Sequence, residues 1–128
     1  MRVSTSLEFV VEKTNTGYSA YAVKYPVATT GRTFEELKAN ALEAINLFRF
    51  GTVPLLEGQL RFQLDLGEFL GHYDVLNLEA LGRRIAIDPT LLAAYVAGTK
   101  KPSTRQQERI LRGVADLARE LSEVHRFV

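Results

Sequence analysis

The sequence predicts an α+β fold, a small antiparallel sheet with one helix followed by an all-α half that ends in a long helix. Three observations carry this. Apolar residues alternate with period two between Leu7 and Val23 and again from Leu60 to Leu64, as half-buried strands require. Between Phe34 and Phe48 the spacing changes to the 3.6-residue period of an amphipathic helix. Beyond Asp65 only helical spacing remains, punctuated by residues that start and stop helices.

Each element follows from local chemistry. Leu7, Phe9 and Val11 oppose Glu8, Val10 and Glu12, Thr14-Asn15-Thr16-Gly17 is a turn signal, and Tyr18 to Val23 resumes the alternation, which predicts a β-hairpin. Pro26 restricts the next piece to a short or edge strand, closed by Gly31. Thr33-Phe34-Glu35-Glu36 is a capping box, with Thr33 accepting from the Glu36 amide and Glu36 reaching back. The helix it opens lays Phe34, Leu37, Ala41, Ala44, Ile45 and Phe48 on the sheet and exposes Glu35, Lys38, Asn40 and Glu43. A link containing Gly51, Pro54 and Gly58 leads to the strand at Leu60 to Leu64. Asp65-Leu66-Gly67-Glu68 is a second capping box, starting a short helix with Phe69, Leu70 and Tyr73 on its apolar side. The boundary between units is therefore placed near Leu64 to Leu66, giving domains of residues 1–64 and 65–128.

Composition bounds the function. At 128 residues and 46% hydrophobic content the chain can bury one modest core or two very small ones. The net charge is only +1, yet seven basic residues (Arg83, Arg84, Lys100, Lys101, Arg105, Arg109 and Arg112) stand against Asp88 and Glu108 between Gly82 and Arg112. Such a cluster is an electrostatic footprint for a polyanion. There is no cysteine, so neither disulfides nor thiolate metal sites arise. The segment MRVSTSLEFVVEKT has no apolar run suited to a signal peptide or membrane span, and a cytoplasmic location is expected.

Catalysis finds little to build on. Two-metal phosphoryl chemistry needs carboxylates converging from neighbouring elements. The acids available are Glu8 and Glu12 on the polar face of the first strand, Glu43 on a helix surface and Asp65 at an N-cap, each a routine place for a charge. His72 and His125 are far apart and lack partners at ligand spacing. No glycine-rich phosphate loop or nucleophile elbow occurs. The expectation is a protein that is not an enzyme, with no cofactor and no bound metal.

Residues Asn77 to Ser103 have the spacing of a helix-turn-helix. Leu78, Leu81 and Ile85 share one helical face, Ile87 follows a tight link at Ala86, and Leu92, Tyr95 and Val96 line a second short helix. Asp88 is its N-cap, Pro89 its first residue and Gly98 its left-handed terminator. Lys100 and Lys101 follow in a turn that Pro102 closes. Over these 27 positions the chain resembles the Xre/Cro-type helix-turn-helix family, through Leu81-Gly82, Ile85, Ala86-Ile87, Leu92, Tyr95, Gly98 and Lys101-Pro102-Ser103. Ala86 stands where the family has a turn glycine, and Leu78 where it often has Gln. The resemblance implies that Pro89, Thr90, Ala93 and Ala94 face the major groove of operator DNA. Phosphate contacts would then come from Asn77, Arg83, Arg84, Lys100, Lys101 and Arg105. With Thr90 the only groove-facing side chain that can hydrogen-bond, shape and phosphate contacts would contribute more than base readout.

The first half carries a second resemblance. Tyr21, Tyr25-Pro26, Gly31, Thr33, Glu35-Glu36, Asn40 and Glu43-Ala44-Ile45 follow the pattern of HicB-like antitoxin domains, a truncated ribonuclease H-like fold, with Val27-Ala28 replacing a frequent Gly-Cys. Many members carry a DNA-binding module next, so the order of the two halves resembles a HicB-type antitoxin of the helix-turn-helix subclass. That implies neutralisation of a HicA-type RNA-cleaving toxin and repression of the shared operon. Tyr21, Tyr25, Glu35, Lys38 and Asn40 are the candidate toxin-facing residues. The alternative is a stand-alone helix-turn-helix regulator or protein-interaction module, motivated by the bare Ala93 and Ala94.

Ser103-Thr104-Arg105-Gln106 is a third capping box, opening a helix to about Val124. Within it Ile110, Val114, Leu117, Leu121 and Val124 have coiled-coil seam spacing. Its second half, Leu117, Leu121 and Val124, extends past two short helices, and a homodimer through it would suit a palindromic operator.

Overall fold

The computed structural model describes residues 6–128. Its class is α+β, with a four-stranded mixed sheet and five α-helices. The contacts divide the chain into two compact units, one ending at His72 and the other beginning at Tyr73. Among the described residues no helix is long and apolar enough to cross a membrane.

The first unit contains β1 (Leu7–Thr14), β2 (Gly17–Ala22), β3 (Ala28–Gly31), α1 (Phe34–Phe48), β4 (Leu60–Leu64) and α2 (Leu66–His72). The hairpin forms where the turn signal predicts it, with Phe9 opposite Ala22 and Val11 opposite Ala20. Strand β3, short and on the edge as Pro26 requires, pairs antiparallel with β2. The sheet order is β3-β2-β1-β4.

The last strand corrects the expectation of an antiparallel sheet, because β4 runs parallel to β1, with Leu7 opposite Leu60 and Phe9 opposite Phe62. The reason is the connection. A two-residue turn reverses the chain, whereas a helical crossover returns it in the same direction. Strand β3 already runs parallel to β1, and α1 carries the chain from that edge to the other.

The α1 face of the sheet holds the core. Phe9, Val11, Ala20, Ala22 and Leu60 pack with Leu37, Ala41 and Ile45 from the helix. Phe9 and Phe62 stack at 5.5 Å between ring centroids, and Phe34 meets Phe62 edge-on at 5.6 Å. Thus Phe34, at the end of the predicted stripe, covers the rim of the core and stays partly exposed. Glu8, Tyr21, Arg61 and Gln63 are exposed on the opposite face.

Two caps depart from the simple box. Thr33 Oγ1 accepts from the Glu36 amide at 3.1 Å, but the Glu36 carboxylate accepts from Arg32 N–H at 2.6 Å, one residue before the cap. At α2, Asp65 Oδ1 accepts from Glu68 N–H at 3.2 Å, while Glu68 Oε1 accepts from the Lys13 backbone N–H at 2.9 Å. The Asp65 amide itself donates to Val11 O. These bonds hold α2 against β1. By contacts α2 thus belongs with the strands of the first unit.

The second unit contains α3 (Leu78–Ile85), α4 (Pro89–Ala97) and α5 (Thr104–Ser122), followed by a 3₁₀ segment at Glu123–Phe127. Leu81, Ile87, Leu92, Tyr95 and Ile110 are its buried apolar side chains.

Candidate nucleic-acid interface

The helix pair is capped at each end, by Asp88, Pro89 and Gly98 where predicted and by Asn77, which was expected as a phosphate contact rather than a cap. Asn77 Oδ1 accepts from Ala80 N–H at 2.9 Å and caps α3. Asp88 Oδ1 accepts from Thr90 N–H at 2.9 Å and caps α4, with Pro89 at its first position. Gly98 ends α4 in the left-handed conformation, φ 80°. Ser103 Oγ accepts from Gln106 N–H at 3.1 Å to start α5.

Between α3 and α4 the chain turns at Ala86, φ 59° and ψ 47°, the one non-glycine positive φ among the described residues. A left-handed conformation costs an L-residue roughly 1–2 kcal/mol, so neighbouring contacts must hold it. Ile87 N–H donates to Gly82 O at 2.9 Å and Ile87 is buried. Arg109 of α5 donates from Nη2 to Ala86 O at 3.0 Å. Gly82 lets the helices close, since a Cβ there would lie 2.5 Å from Ile87 O and 3.0 Å from Pro89 Cγ. Gly113 does the same for α5, where a Cβ would lie 2.2 Å from Ile85 Cγ2.

Six of the seven cations divide into two groups, and the seventh, Arg112 on α5, is exposed and forms no ion pair among the described residues. Arg83 pairs with Glu79 at 3.2 Å, Arg84 with Glu120 of α5, and Arg109 with the turn carbonyl. Lys100, Lys101 and Arg105 are exposed, and none forms an ion pair among the described residues. They lie from just after the end of α4 to the first turn of α5. Because a phosphate need not compete with a bound carboxylate there, this short stretch holds the most available positive charge of the predicted set.

On α4, Thr90, Ala93 and Ala97 are exposed and share one face by their spacing of three and four residues. Pro89 and Ala94 are half-buried, and the Ala94 carbonyl accepts from Thr99 N–H and Thr99 Oγ1. Ala97 was missed from the sequence although the helical period, counted on from Thr90 and Ala93, reaches it. The bracing by Arg109 and Glu120 had no local signal, since each partner lies far along the chain.

The predicted seam outruns α5, which ends at Ser122, so Val124 falls in the 3₁₀ segment rather than in the helix. Ile110 is fully buried and Leu117 half-buried, while Leu121 and Val124 are exposed. Leu117 and Leu121 line a groove with Val75, Leu76, Ala80 and Leu81.

In the first unit, the residues singled out for partner binding have differing surroundings. Tyr21 is exposed. Tyr25 is half-buried and edge-on to Phe48 at 5.6 Å. Lys38 Nζ pairs with Glu35 at 3.1 Å and Glu57 at 3.7 Å and lies 5.0 Å from the Phe34 ring centroid. Asn40 Nδ2 donates to Thr30 O at 2.8 Å, tying α1 to β3. Lys38 and Asn40 thus have structural work of their own. Partial burial raises the Glu12 carboxyl above its ordinary value, and the Glu68 and Asp65 carboxylates add repulsion. Among the described residues no group of three or more His, Cys, Asp or Glu side chains is placed to hold a metal ion. Compared with protein-family models, curated proteins and solved structures, the chain matches none.

Proposed function

We propose that this chain is the antitoxin and autorepressor of a toxin-antitoxin pair, a cytoplasmic protein and not an enzyme. In this reading α3, the Ala86 turn and α4 form a helix-turn-helix, with Thr90 and Ala93 presented to the major groove. Lys100, Lys101 and Arg105 contact phosphates, which positions the protein without reading sequence. The observation that carries the DNA half is this cluster of exposed, unpaired cations beside the capped helix pair. Leu121 and Val124 support a homodimer through α5, which would match a two-fold operator. The HicB-like pattern of Tyr21 to Ile45 supports a HicA-type toxin as the partner of the first unit, occluded by the sheet and α1.

Two titrations test the two halves. Operator-region duplex should bind at low salt, with affinity falling linearly in log salt; absence of salt-dependent binding would remove the repressor function. Co-expression with the product of a short adjacent reading frame should give a stable complex and relieve its toxicity. If no such partner binds, a stand-alone regulator takes precedence.

A further inference from the structure

The loop after α1 holds apolar side chains outward from a framework of its own hydrogen bonds. Asn46 clamps Leu55 from both sides, Oδ1 accepting from its N–H at 2.8 Å and Nδ2 donating to its carbonyl at 3.0 Å. Thr52 Oγ1 donates to Arg49 O at 2.7 Å, and Arg49 Nη1 donates to Val53 O at 3.3 Å. Yet Phe50 is 90% exposed, Val53 81% and Leu56 72%. A flexible loop would gain by turning these groups inward; this one is bonded in a shape that displays them.

Beside the loop is a groove of about 420 Å³, walled by Leu7, Val23, Tyr25 and Leu55, with Lys24 and Arg49 among its lining residues along with Glu8. One unit thus carries an apolar projection, a recess of mixed apolar and charged lining, and charges of both signs. An isologous interface needs such a self-complementary set, because each copy must supply both sides of every contact.

We infer that this surface binds a second copy of the chain, the Phe50 loop of each protomer entering the groove of the other. The charges agree, since Lys24 and Arg49 of one copy can meet Glu8 of its partner. Phe50, Val53, Leu56, Phe48 and half-exposed Val23 supply the apolar contact, and a standard interface of roughly 800 Å² per partner would have to draw on their polar surroundings as well. The surface goes beyond the antitoxin reading, shares Tyr25 with its candidate toxin-facing set, and rests on it only for the α5 dimer invoked next. With the α5 seam it gives the chain two different isologous surfaces, so full assembly is a closed tetramer or an open chain of dimers.

Sedimentation velocity on the full chain tests this, using Leu121→Asp to disable the α5 seam. That variant is expected to remain dimeric, and adding Phe50→Asp with Val53→Asp should weaken its self-association at least ~10-fold. All three positions are exposed, and circular dichroism verifies folding. A monomeric Leu121→Asp chain, or a triple variant that associates as Leu121→Asp does, would overturn the inference. As a second measurement, chains carrying Phe50→Cys and Val23→Cys are mixed under mild oxidation, with no native cysteine to compete. A cross-linked pair of the two variants is expected, and its absence overturns the docking.

Discussion

The carboxylate of Glu68 accepts the backbone N–H of Lys13 at 2.9 Å, joining α2 to β1 across 55 residues. A hydrogen bond to a charged acceptor contributes about 1.5–3 kcal/mol, less where solvent reaches it. Glu68→Ala should therefore destabilise the first unit by about 1–2 kcal/mol, whereas Glu68→Gln, which keeps an acceptor, should lose less. Urea unfolding at neutral pH checks the ranking.

Glu12 is held above the ordinary carboxyl value first by partial burial and then by repulsion from the same carboxylate and from Asp65. Its proton therefore favours the native state. This contribution is full below the ordinary carboxyl value and is lost as pH rises through the raised one. Glu12→Gln should thus stabilise the chain at neutral pH, by under about 0.5 kcal/mol for so accessible a site. It should also flatten the change of Tm across the weakly acidic range. A variant less stable than the parent at pH 7 would contradict this assignment.

Ala86 supports a left-handed conformation that glycine adopts without strain. Ala86→Gly is expected to raise stability by roughly 1 kcal/mol, offset in part by unfolded-state entropy. Thermal unfolding of the second unit would register the gain.

Gly82 and Gly113 should not respond equally to an added methyl group. At Gly82 the methyl meets a backbone carbonyl and the Pro89 ring, neither of which yields easily. At Gly113 it first meets the Ile85 Cγ2 methyl, which can rotate. Gly82→Ala should cost about 2–3 kcal/mol and Gly113→Ala less, within the usual range for overpacking. Chemical denaturation of both variants gives the order.

If the helical unit binds duplex DNA as proposed, Lys100→Ala with Lys101→Ala should make the salt slope shallower by about 2, close to 0.9 per lost phosphate contact. Arg84→Ala should leave the slope nearly unchanged, because Glu120 already occupies that guanidinium. Equal losses from the two substitutions would mean that the Arg84–Glu120 pair opens on binding.

What the sequence revealed follows the range over which each signal acts. The hairpin, the edge strand and the Thr33, Asp88 and Ser103 caps depend on residues a few positions apart, and each stands where predicted. The direction of β4 depends on a crossover and has no local signature in Leu60 to Leu64. The placing of α2 is similar, since Asp65 and Glu68 read as a cap while the deciding acceptor faces Lys13. At the candidate interface the resemblance pointed to Pro89, Thr90, Ala93 and Ala94, of which Thr90 and Ala93 are exposed and the other two half-buried. It could not tell Arg84, held by Glu120, from the unpaired Lys101, because sequence counts charges without showing their partners.

The parallel pairing of β1 with β4 also sets an order of events during synthesis. Leu7 meets Leu60 only after the whole of β2, β3 and α1 has been made, and Lys13 waits longer still for Glu68. Until then one edge of β1 offers unpaired amides and carbonyls to any neighbouring chain. The helical unit closes through elements adjacent in sequence, which form quickly. A pause in synthesis after α1 has emerged but before β4 has would therefore hold the nascent sheet at its most aggregation-prone stage.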